Sequence, residues 1–229
     1  MSLGMWRQLT TMLRDIQTDP SVRVLTLTGS GDHFCAGADL SEFEGGTGSP
    51  NSPEYREASV RAESALASLS KPTLAAVRGV CVGGGASLAL ACDLRFGADT
   101  TRWGITPAKI GLVYPPDTIA RLVATIGPSA AKYLLYSAEI IGADEALRIG
   151  LVDELHRSDA LSRRVADFAD LLSQRSLFTQ QATKDVITHL IMDGHISAAV
   201  ADRWEAAGAT SADPIEGVRA FLEKRAPQF

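Results

Sequence analysis

The stretch GVCVGGGASLALACDL at residues 79–94 places three consecutive glycines, Gly83–Gly85, between an apolar run and a run of residues that favour helix. Glycine adopts positive φ and lets another group approach the backbone closely. A strand followed by glycines and a helix leaves free N–H groups at the helix N-terminus, where the helix dipole adds positive potential. Such a place attracts an anion or a developing oxyanion. On the glycines alone, a tight and closely packed turn without a ligand is the favoured interpretation.

A second segment, HFCAGADLSEF at residues 33–43, repeats the pattern. Its small residues Ala36, Gly37 and Ala38 follow a predicted strand at Val22–Thr28, and a helix is expected to begin near Asp39. Two such segments on adjacent parallel strands could direct two backbone N–H groups at one oxygen atom. Two donors on one oxygen form an oxyanion hole.

The composition narrows the class of protein. The 229 residues are 45% hydrophobic and 21% charged, with a net charge of −5 and no basic block, so neither a nucleic-acid nor a membrane-surface partner is indicated. Three cysteines without a CxxC pair predict reduced, buried thiols in a cytoplasmic protein. Four scattered histidines predict no zinc site. The N-terminus predicts an amphipathic helix at Met5–Ile16 and no signal peptide.

Strands and helices alternate in the first two-thirds of the chain, which predicts an α/β core with parallel strands. Residues 44–53 are predicted to form a mobile loop, and residues 104–118 an irregular surface segment. Nearly everything from Ile119 onward is predicted to be helical. The other predicted strands are Thr73–Val77 and Asp93–Gly97, and the other predicted helices are residues 54–69, Gly84–Ala91, Ala143–Ile149, Leu161–Ser173, Thr179–Met192, Ile196–Thr210 and Pro214–Lys224.

Four blocks of the sequence together resemble one known family. They are VLTLTGSGDHFCAGADL, KPTLAAVRGVCVGGGASLALACDLRFGAD, IGADEALRIGLVDE and DPIEGVRAFLEKRAPQF. In this order and spacing they resemble the enoyl-CoA hydratase/isomerase (crotonase) superfamily, from Met5 to Phe229.

The sequence contains neither a phosphate-loop motif nor a nucleophile-elbow motif.

The resemblance implies a ββα-spiral core at residues 1–156 and a C-terminal helical region at residues 157–229 that packs trimers or dimers of trimers. It implies an acyl-CoA thioester as ligand and requires no metal or redox cofactor, coenzyme A being part of the substrate. Family members usually begin with a strand pair that this sequence lacks, so we expect that edge of the sheet to be open or covered by another element.

The resemblance also implies a set of site residues. The backbone N–H groups of Ala38 and Gly84 are expected to bind the thioester oxygen, with Gly83 beside them. Backbone groups around Ala36–Leu40 are expected to meet the adenine end of coenzyme A, although Asp39 is more simply explained as a helix cap. Lys224 matches a lysine that reaches a coenzyme A phosphate from a neighbouring subunit, and a solvated lysine at a helix end explains it equally well.

This sequence departs from the family at the two glutamates that hydratases use as general acid and base. Ser87 occupies the first position, two residues after the glycine triplet, and Pro107 occupies the second. Serine without a partner is a poor base, and proline does not titrate. The two-glutamate hydration mechanism is therefore not expected, and both residues are expected to line the substrate site.

Asp117, in GLVYPPDTIARL at residues 111–122, is the first candidate for a replacement acid or base. It lies about two positions beyond the family's isomerase aspartate, and a helix N-cap explains it more simply. Tyr114 on the same segment could orient substrate or donate a proton, although an aromatic residue beside two prolines more often packs.

Three functions remain open at this point. The first is an acyl-CoA isomerase or hydratase with a reassigned acid or base. The second is an acyl-CoA-binding homologue with little or no catalysis. The third, a protein that uses only the trimer surface, is disfavoured because both small-residue segments are present.

Overall fold

The computed structural model describes residues 1–39, 41 and 52–229, and within these ranges strands and helices alternate before a run of helices. The predicted α/β class is confirmed. The elements in chain order are α1 (Leu3–Thr18), β1 (Leu25–Thr28), α2 (Pro53–Ala67), β2 (Thr73–Val77), β3 (Val80–Val82), α3 (Gly84–Ala91), β4 (Leu94–Ala98), β5 (Arg102–Gly104), a 3-10 turn (Pro107–Lys109), α4 (Pro116–Ser137), β6 (Ile140–Gly142), α5 (Ala143–Arg148), β7 (Glu154–His156), α6 (Leu161–Ser173), α7 (Leu177–Asp193), α8 (Ala198–Thr210) and α9 (Asp213–Glu223).

A four-stranded parallel sheet in the order β1-β2-β4-β7 forms the centre of the described fold. Its register pairs Leu25 with Thr73 and Leu74 with Leu94. All five residues of β2 are buried, as expected for an inner parallel strand that is covered on both faces.

A second sheet, in the order β3-β5-β6, carries the glycine triplet. The chain turns sharply between β2 and β3 at Gly79, which has φ 50°. The triplet therefore follows β3 and not, as the sequence suggested, the end of the Thr73–Val77 strand. The two small-residue segments do not extend from adjacent strands of one sheet.

Two predictions about irregular and helical regions were wrong in part. The segment 104–118 was expected at the surface, but Gly104, Ile105 and Pro107 are buried. The region after Ile119 contains the strands β6 and β7 as well as helices. Each of these strands has three residues, which is too short to show the two-residue alternation that identifies strands. The loop predicted at residues 44–53 lies outside the described residues up to residue 51; Ser52 caps α2 and Pro53 begins it.

The sheets are covered by helices on both sides. The larger core packs α1, α2, α3 and α4 together, with Trp6 and Leu13 of α1 fully buried in it. A smaller core lies between the parallel sheet and α6, where Phe96 and Val165 pack. No helix in the described part of the chain has the length and apolar character needed to cross a bilayer.

The three cysteines are free thiols, as predicted. Cys81 and Cys92 are buried, and burial raises the pKa of both thiols. Cys35 is half-buried and forms an isolated parallel bridge with Cys81.

Candidate functional site

The bridge at Cys35 brings the two small-residue segments together. The N–H of Cys35 donates to the carbonyl of Val80 at 3.0 Å, and its carbonyl accepts from the N–H of Val82 at 2.9 Å. The segment after β1 thus runs beside β3, so Ala36–Ala38 emerges next to the glycine triplet. The predicted meeting of the two segments occurs, but through β3.

The backbones of the two segments are in van der Waals contact, which requires glycine. Gly37 has φ 100° and Gly83 has φ 58°, a region that residues with side chains rarely adopt. A Cβ built on Gly37 would lie 3.1 Å from the carbonyl oxygen of Val82 and 3.6 Å from the nitrogen of Gly84. A side chain would therefore strain the backbone at both positions, and at Gly37 it would also press against the carbonyl of Val82.

Gly85 shows that close packing explains part of the triplet. A Cβ on Gly85 would lie 2.3 Å from the carbonyl oxygen of Cys35. At Gly84 the nearest obstacle would be the ring of Trp6, at 3.1 Å. The packing interpretation of the glycines therefore holds for Gly85, whatever binds beside Gly84.

Two backbone donors at this junction have no partner among the residues that the structure describes. Gly83 donates to the carbonyl of Gly104 at 2.9 Å, but Gly84 is the first residue of α3 and its N–H has no acceptor among the described residues. The N–H of Ala38 likewise finds no acceptor within residues 1–39, 41 and 52–229. Both residues line the same cavity.

This cavity has a volume of about 300 Å³. Its walls come from the two small-residue segments, α1, α2, α3 and the segment between β5 and α4. The lining residues are Trp6, Ala36, Gly37, Ala38, Tyr55, Arg56, Ser59, Glu63, Val82, Gly83, Gly84, Ser87, Thr106, Pro107, Lys109, Ile110, Leu112, Val113, Tyr114 and Pro115. The lining is mainly apolar with a few polar groups, which is typical of a small-molecule site.

Most of the predicted site residues lie in this cavity wall. Ala36, Ala38, Gly83 and Gly84 lie where the two segments meet, and the positions expected to replace the two glutamates, Ser87 and Pro107, lie in the same wall. The Ser87 hydroxyl lies 3.4 Å from the carbonyl of Gly83 and donates to it.

Three other predicted residues lie elsewhere, and a fourth cannot be placed. Asp39 is exposed, and its carboxylate accepts hydrogen bonds from the N–H and the hydroxyl of Ser41, which lower the pKa of Asp39. Lys224 is exposed at the C-terminal end of α9. Leu40 lies outside the described residues.

Asp117 is exposed in the first turn of α4 and is not part of the cavity wall. The predicted N-cap role is wrong, because Pro115 is the capping residue and Asp117 lies two positions inside the helix. A carboxylate there still interacts favourably with the helix dipole.

Sequence reasoning missed Glu63, a buried carboxylate in the wall of the cavity. Only 4% of its surface is exposed. Thr118 donates to its Oε2 at 2.7 Å, and Arg121 donates to the same oxygen at 3.3 Å. Burial raises the pKa of Glu63 despite these two bonds, and the nearby Asp117 raises it further. The sequence does contain a signal for this residue. Glu63 is one residue after Ala62 and three before Leu66, so it falls on the apolar, buried face of α2.

Tyr114 lies between Glu63 and the glycines. A Cβ on Gly83 would lie 3.7 Å from the Tyr114 hydroxyl. Burial raises the pKa of Tyr114, the Glu63 carboxylate raises it further, and a hydrogen bond with Ser87 opposes both. The tyrosine therefore stays protonated and can act as a hydrogen-bond donor in the cavity.

Comparison with known proteins gives one consistent result. The family model described as enoyl-CoA hydratase/isomerase matches residues 1–229. The crotonyl-CoA hydratase of Syntrophomonas wolfei is 34% identical over 217 residues, covering 93% of this chain and 83% of that protein. The (E)-benzylidenesuccinyl-CoA hydratase of Thauera aromatica is 32% identical, covering 96% and 86%. A crystal structure of an enoyl-CoA hydratase/carnithine racemase from Magnetospirillum magneticum superimposes with a TM-score of 0.93 at 31% identity, covering all of this chain and 86% of that one.

Proposed function

Because this chain belongs to the enoyl-CoA hydratase/isomerase family, we propose that it binds an acyl-CoA thioester whose carbonyl oxygen accepts hydrogen bonds from the N–H groups of Ala38 and Gly84. The observation that carries the proposal is a pair of backbone donors in one cavity wall that have no acceptor within the described part of the chain. The N-terminus of α3 adds positive potential beside Gly84.

Such a site stabilises an enolate. Two donors on the thioester oxygen favour the charge that develops when a proton leaves Cα, and loss of one such donor typically lowers the rate by about 10²–10³-fold. The fixed backbone of the two segments holds the donors in place before substrate arrives, since neither segment can move away from the other without breaking the hydrogen bonds of Cys35.

In the proposed site, Ser87 and Pro107 stand where hydratases of the family have their two glutamates. Ser87 and Pro107 line the cavity, and neither supplies a carboxylate that could activate water. We therefore expect proton transfer to and from an enolate, and not the two-carboxylate addition of water. The relatives named as hydratases support the acyl-CoA substrate class, and the residues of this cavity argue for a different step.

The coenzyme A moiety is proposed to run along the Ala36–Leu40 segment, with Asp39 exposed beside it. Lys224 is proposed to reach a phosphate from a neighbouring subunit of a trimer. Its exposed position at the end of α9 is compatible with such a contact.

Product analysis tests the proposed function. The protein is incubated separately with a 2-enoyl-CoA and a 3-enoyl-CoA in D₂O, and the products are identified by mass spectrometry and NMR. We expect conversion of the 3-enoyl-CoA, with deuterium at Cα or Cγ and no added water.

Two other results would overturn parts of the proposal. Rapid hydration of the 2-enoyl-CoA would show that our interpretation of Ser87 and Pro107 is wrong. If neither substrate changes although acyl-CoA binds, an acyl-CoA-binding protein with little or no catalysis becomes the favoured function.

A further inference from the structure

Building on the proposed function, we propose that Glu63 is the group that moves the proton in this cavity. Among the described lining residues it is the only carboxylate, and the same cavity wall contains Ala38 and Gly84. Asp117, the first candidate from the sequence, is unsuited to this role because its side chain is exposed and is not part of the cavity wall. A base for the Cα proton must share the cavity with the donors that hold the thioester.

The hydrogen bonds of Glu63 leave one of its oxygens available. Thr118 and Arg121 both donate to Oε2. Oε1 has no hydrogen-bond partner among the described residues. It is not completely buried, whereas the ring nitrogen of Trp6, which also lacks a partner among these residues, is. Oε2 thus anchors the carboxylate to α4, and Oε1 is the oxygen that can accept a proton from a substrate.

The surroundings of Glu63 make it a stronger base than an exposed glutamate. Burial raises the pKa of this carboxyl group, which increases its basicity over that of an exposed glutamate. The charged and titratable groups that act on it or share its cavity wall are Asp117 and Arg121 of α4, Tyr114 before α4, Lys109 of the 3-10 turn, and Tyr55 and Arg56 on its own helix. Arg121 and the Thr118 hydroxyl favour the ionised form, and Asp117 disfavours it.

The chemistry balances with one carboxylate. The Glu63 carboxylate removes a proton from Cα of a 3-enoyl-CoA, and the electron pair of that C–H bond moves into a dienolate whose oxygen lies on the two N–H groups. The resulting carboxylic acid, whose proton can exchange with solvent, gives a proton to Cγ, the double bond forms between Cα and Cβ, and the carboxylate is regenerated. No water, oxidant or second acid is required, in keeping with the absence of carboxylates at Ser87 and Pro107.

Glu63→Gln tests the proposal, with two readouts. The first is exchange of the Cα protons of butyryl-CoA in D₂O, which needs a base and an oxyanion site but no double bond. The second is kcat/KM for a 3-enoyl-CoA between pH 4 and 9. We expect both activities to fall by about 10²–10⁴-fold, the usual contribution of general base catalysis, with binding of butyryl-CoA retained in calorimetry.

Two matched variants keep the carboxylate and change only its surroundings. Thr118→Val removes a hydrogen bond that lowers the pKa of Glu63, so the acidic limb of the kcat/KM profile should move to higher pH. Asp117→Asn removes a negative charge that raises this pKa, so the limb should move to lower pH. A Glu63 that served only in an ion pair with Arg121 would leave the position of this limb unchanged in both variants.

Removing one member of a buried ion pair often destabilises a protein, because the other charge loses its partner. If Glu63→Gln does not fold, the double variant Glu63→Gln/Arg121→Gln removes both charges and is assayed in its place. A folded variant that lacks the Glu63 carboxylate and exchanges butyryl-CoA as fast as the wild type overturns the role of Glu63 while the proposed function stands. A wild-type protein that neither exchanges butyryl-CoA nor converts any enoyl-CoA overturns the proposed function, and the role of Glu63 with it.

Discussion

At the scale of single residues, two glycines allow the backbone segments beside the cavity to pack closely, because glycine has no side chain. Gly85 packs against the carbonyl of Cys35, and Gly37 packs against the carbonyl of Val82. Both contacts are with backbone atoms, which cannot rotate away as a side chain can. The two segments that carry the proposed donors are therefore held together by close backbone packing at these two glycines.

Replacing Gly85 by alanine should destabilise the protein and weaken its activity. The new Cβ would lie 2.3 Å from the carbonyl oxygen of Cys35, so α3 and the Cys35 segment must separate. We expect a loss of roughly 1–3 kcal/mol in the free energy of unfolding, the usual cost of overpacking, measured by urea denaturation.

Gly208→Ala is the matched control. Among the described residues outside its own helix, no heavy atom lies within 4 Å of a Cβ on Gly208, which is in the last turn of α8. Because alanine favours helix over glycine, we expect a gain of about 0.5–1 kcal/mol there. A Gly85→Ala variant as stable as the wild type would contradict the packing explanation of the triplet.

At the scale of elements, α6 covers the outer face of the parallel sheet through one cluster of aromatic and charged side chains. Phe168 of α6 lies 5.3 Å from Phe96 of β4 between ring centroids. The Arg164 guanidinium lies over both rings, at 5.1 and 5.6 Å, and binds the Glu154 carboxylate of β7 through two hydrogen bonds. One side chain of α6 thus connects the helix to two strands.

Arg164→Met should destabilise the fold by roughly 1–2 kcal/mol at pH 7, since a half-exposed ion pair and a cation–π contact each contribute at most about 1 kcal/mol. Arg164 is the main cause of the lowered pKa of Glu154, whose ordinary value is 4.5. A carboxyl group with a lowered pKa adds stability above its unfolded pKa and loses it as the pH falls through its folded pKa. The effect of the substitution should therefore shrink below about pH 4.5 in urea denaturation curves.

The neighbouring Arg163 provides the control for this experiment. Its nearest carboxylate, that of Asp167, is 3.9 Å away and both side chains are largely exposed. We expect Arg163→Met to change the free energy of unfolding by less than about 0.5 kcal/mol. Equal losses in the two variants would mean that the arginine stem, and not the contacts of its head group, holds α6 to the sheet.

At the scale of the whole molecule, α9 exposes a large apolar surface. Phe221 is 82% exposed and Leu222 is 74% exposed, with Ile215 and Val218 on the same helix also exposed. An apolar surface of this kind is characteristic of a protein–protein interface. It belongs to the helical region that the resemblance predicts to assemble trimers.

We predict that the protein sediments with three or six times the chain mass of 24.3 kDa. Leu222→Glu should shift this mass toward the single chain, because a charge in an apolar interface loses its hydration. Met12→Glu, at an exposed apolar position of α1, should leave the mass unchanged. A wild-type protein that sediments as a single chain at micromolar concentration would contradict the predicted assembly.

Local patterns were sufficient for much of the fold. The strand Thr73–Val77 and the helix Gly84–Ala91 occur with the predicted bounds, because β-branched runs, glycine boundaries and helix-forming residues act over a few neighbours. The strands β3, β5, β6 and β7 were not predicted, because pairing with distant segments stabilises them and each has only three residues, which carry little pattern.

The sequence by itself determined the fold class, the two small-residue segments and the absence of glutamates at Ser87 and Pro107, since each of these is a property of residue types and their spacing. Only the tertiary structure decided which side chains share the cavity. Glu63 is held by Thr118, 55 residues away, and this contact exists because α2 and α4 both pack into the larger core. A buried carboxylate and an exposed one have the same letter in a sequence, and their different acidities arise from the packing around them.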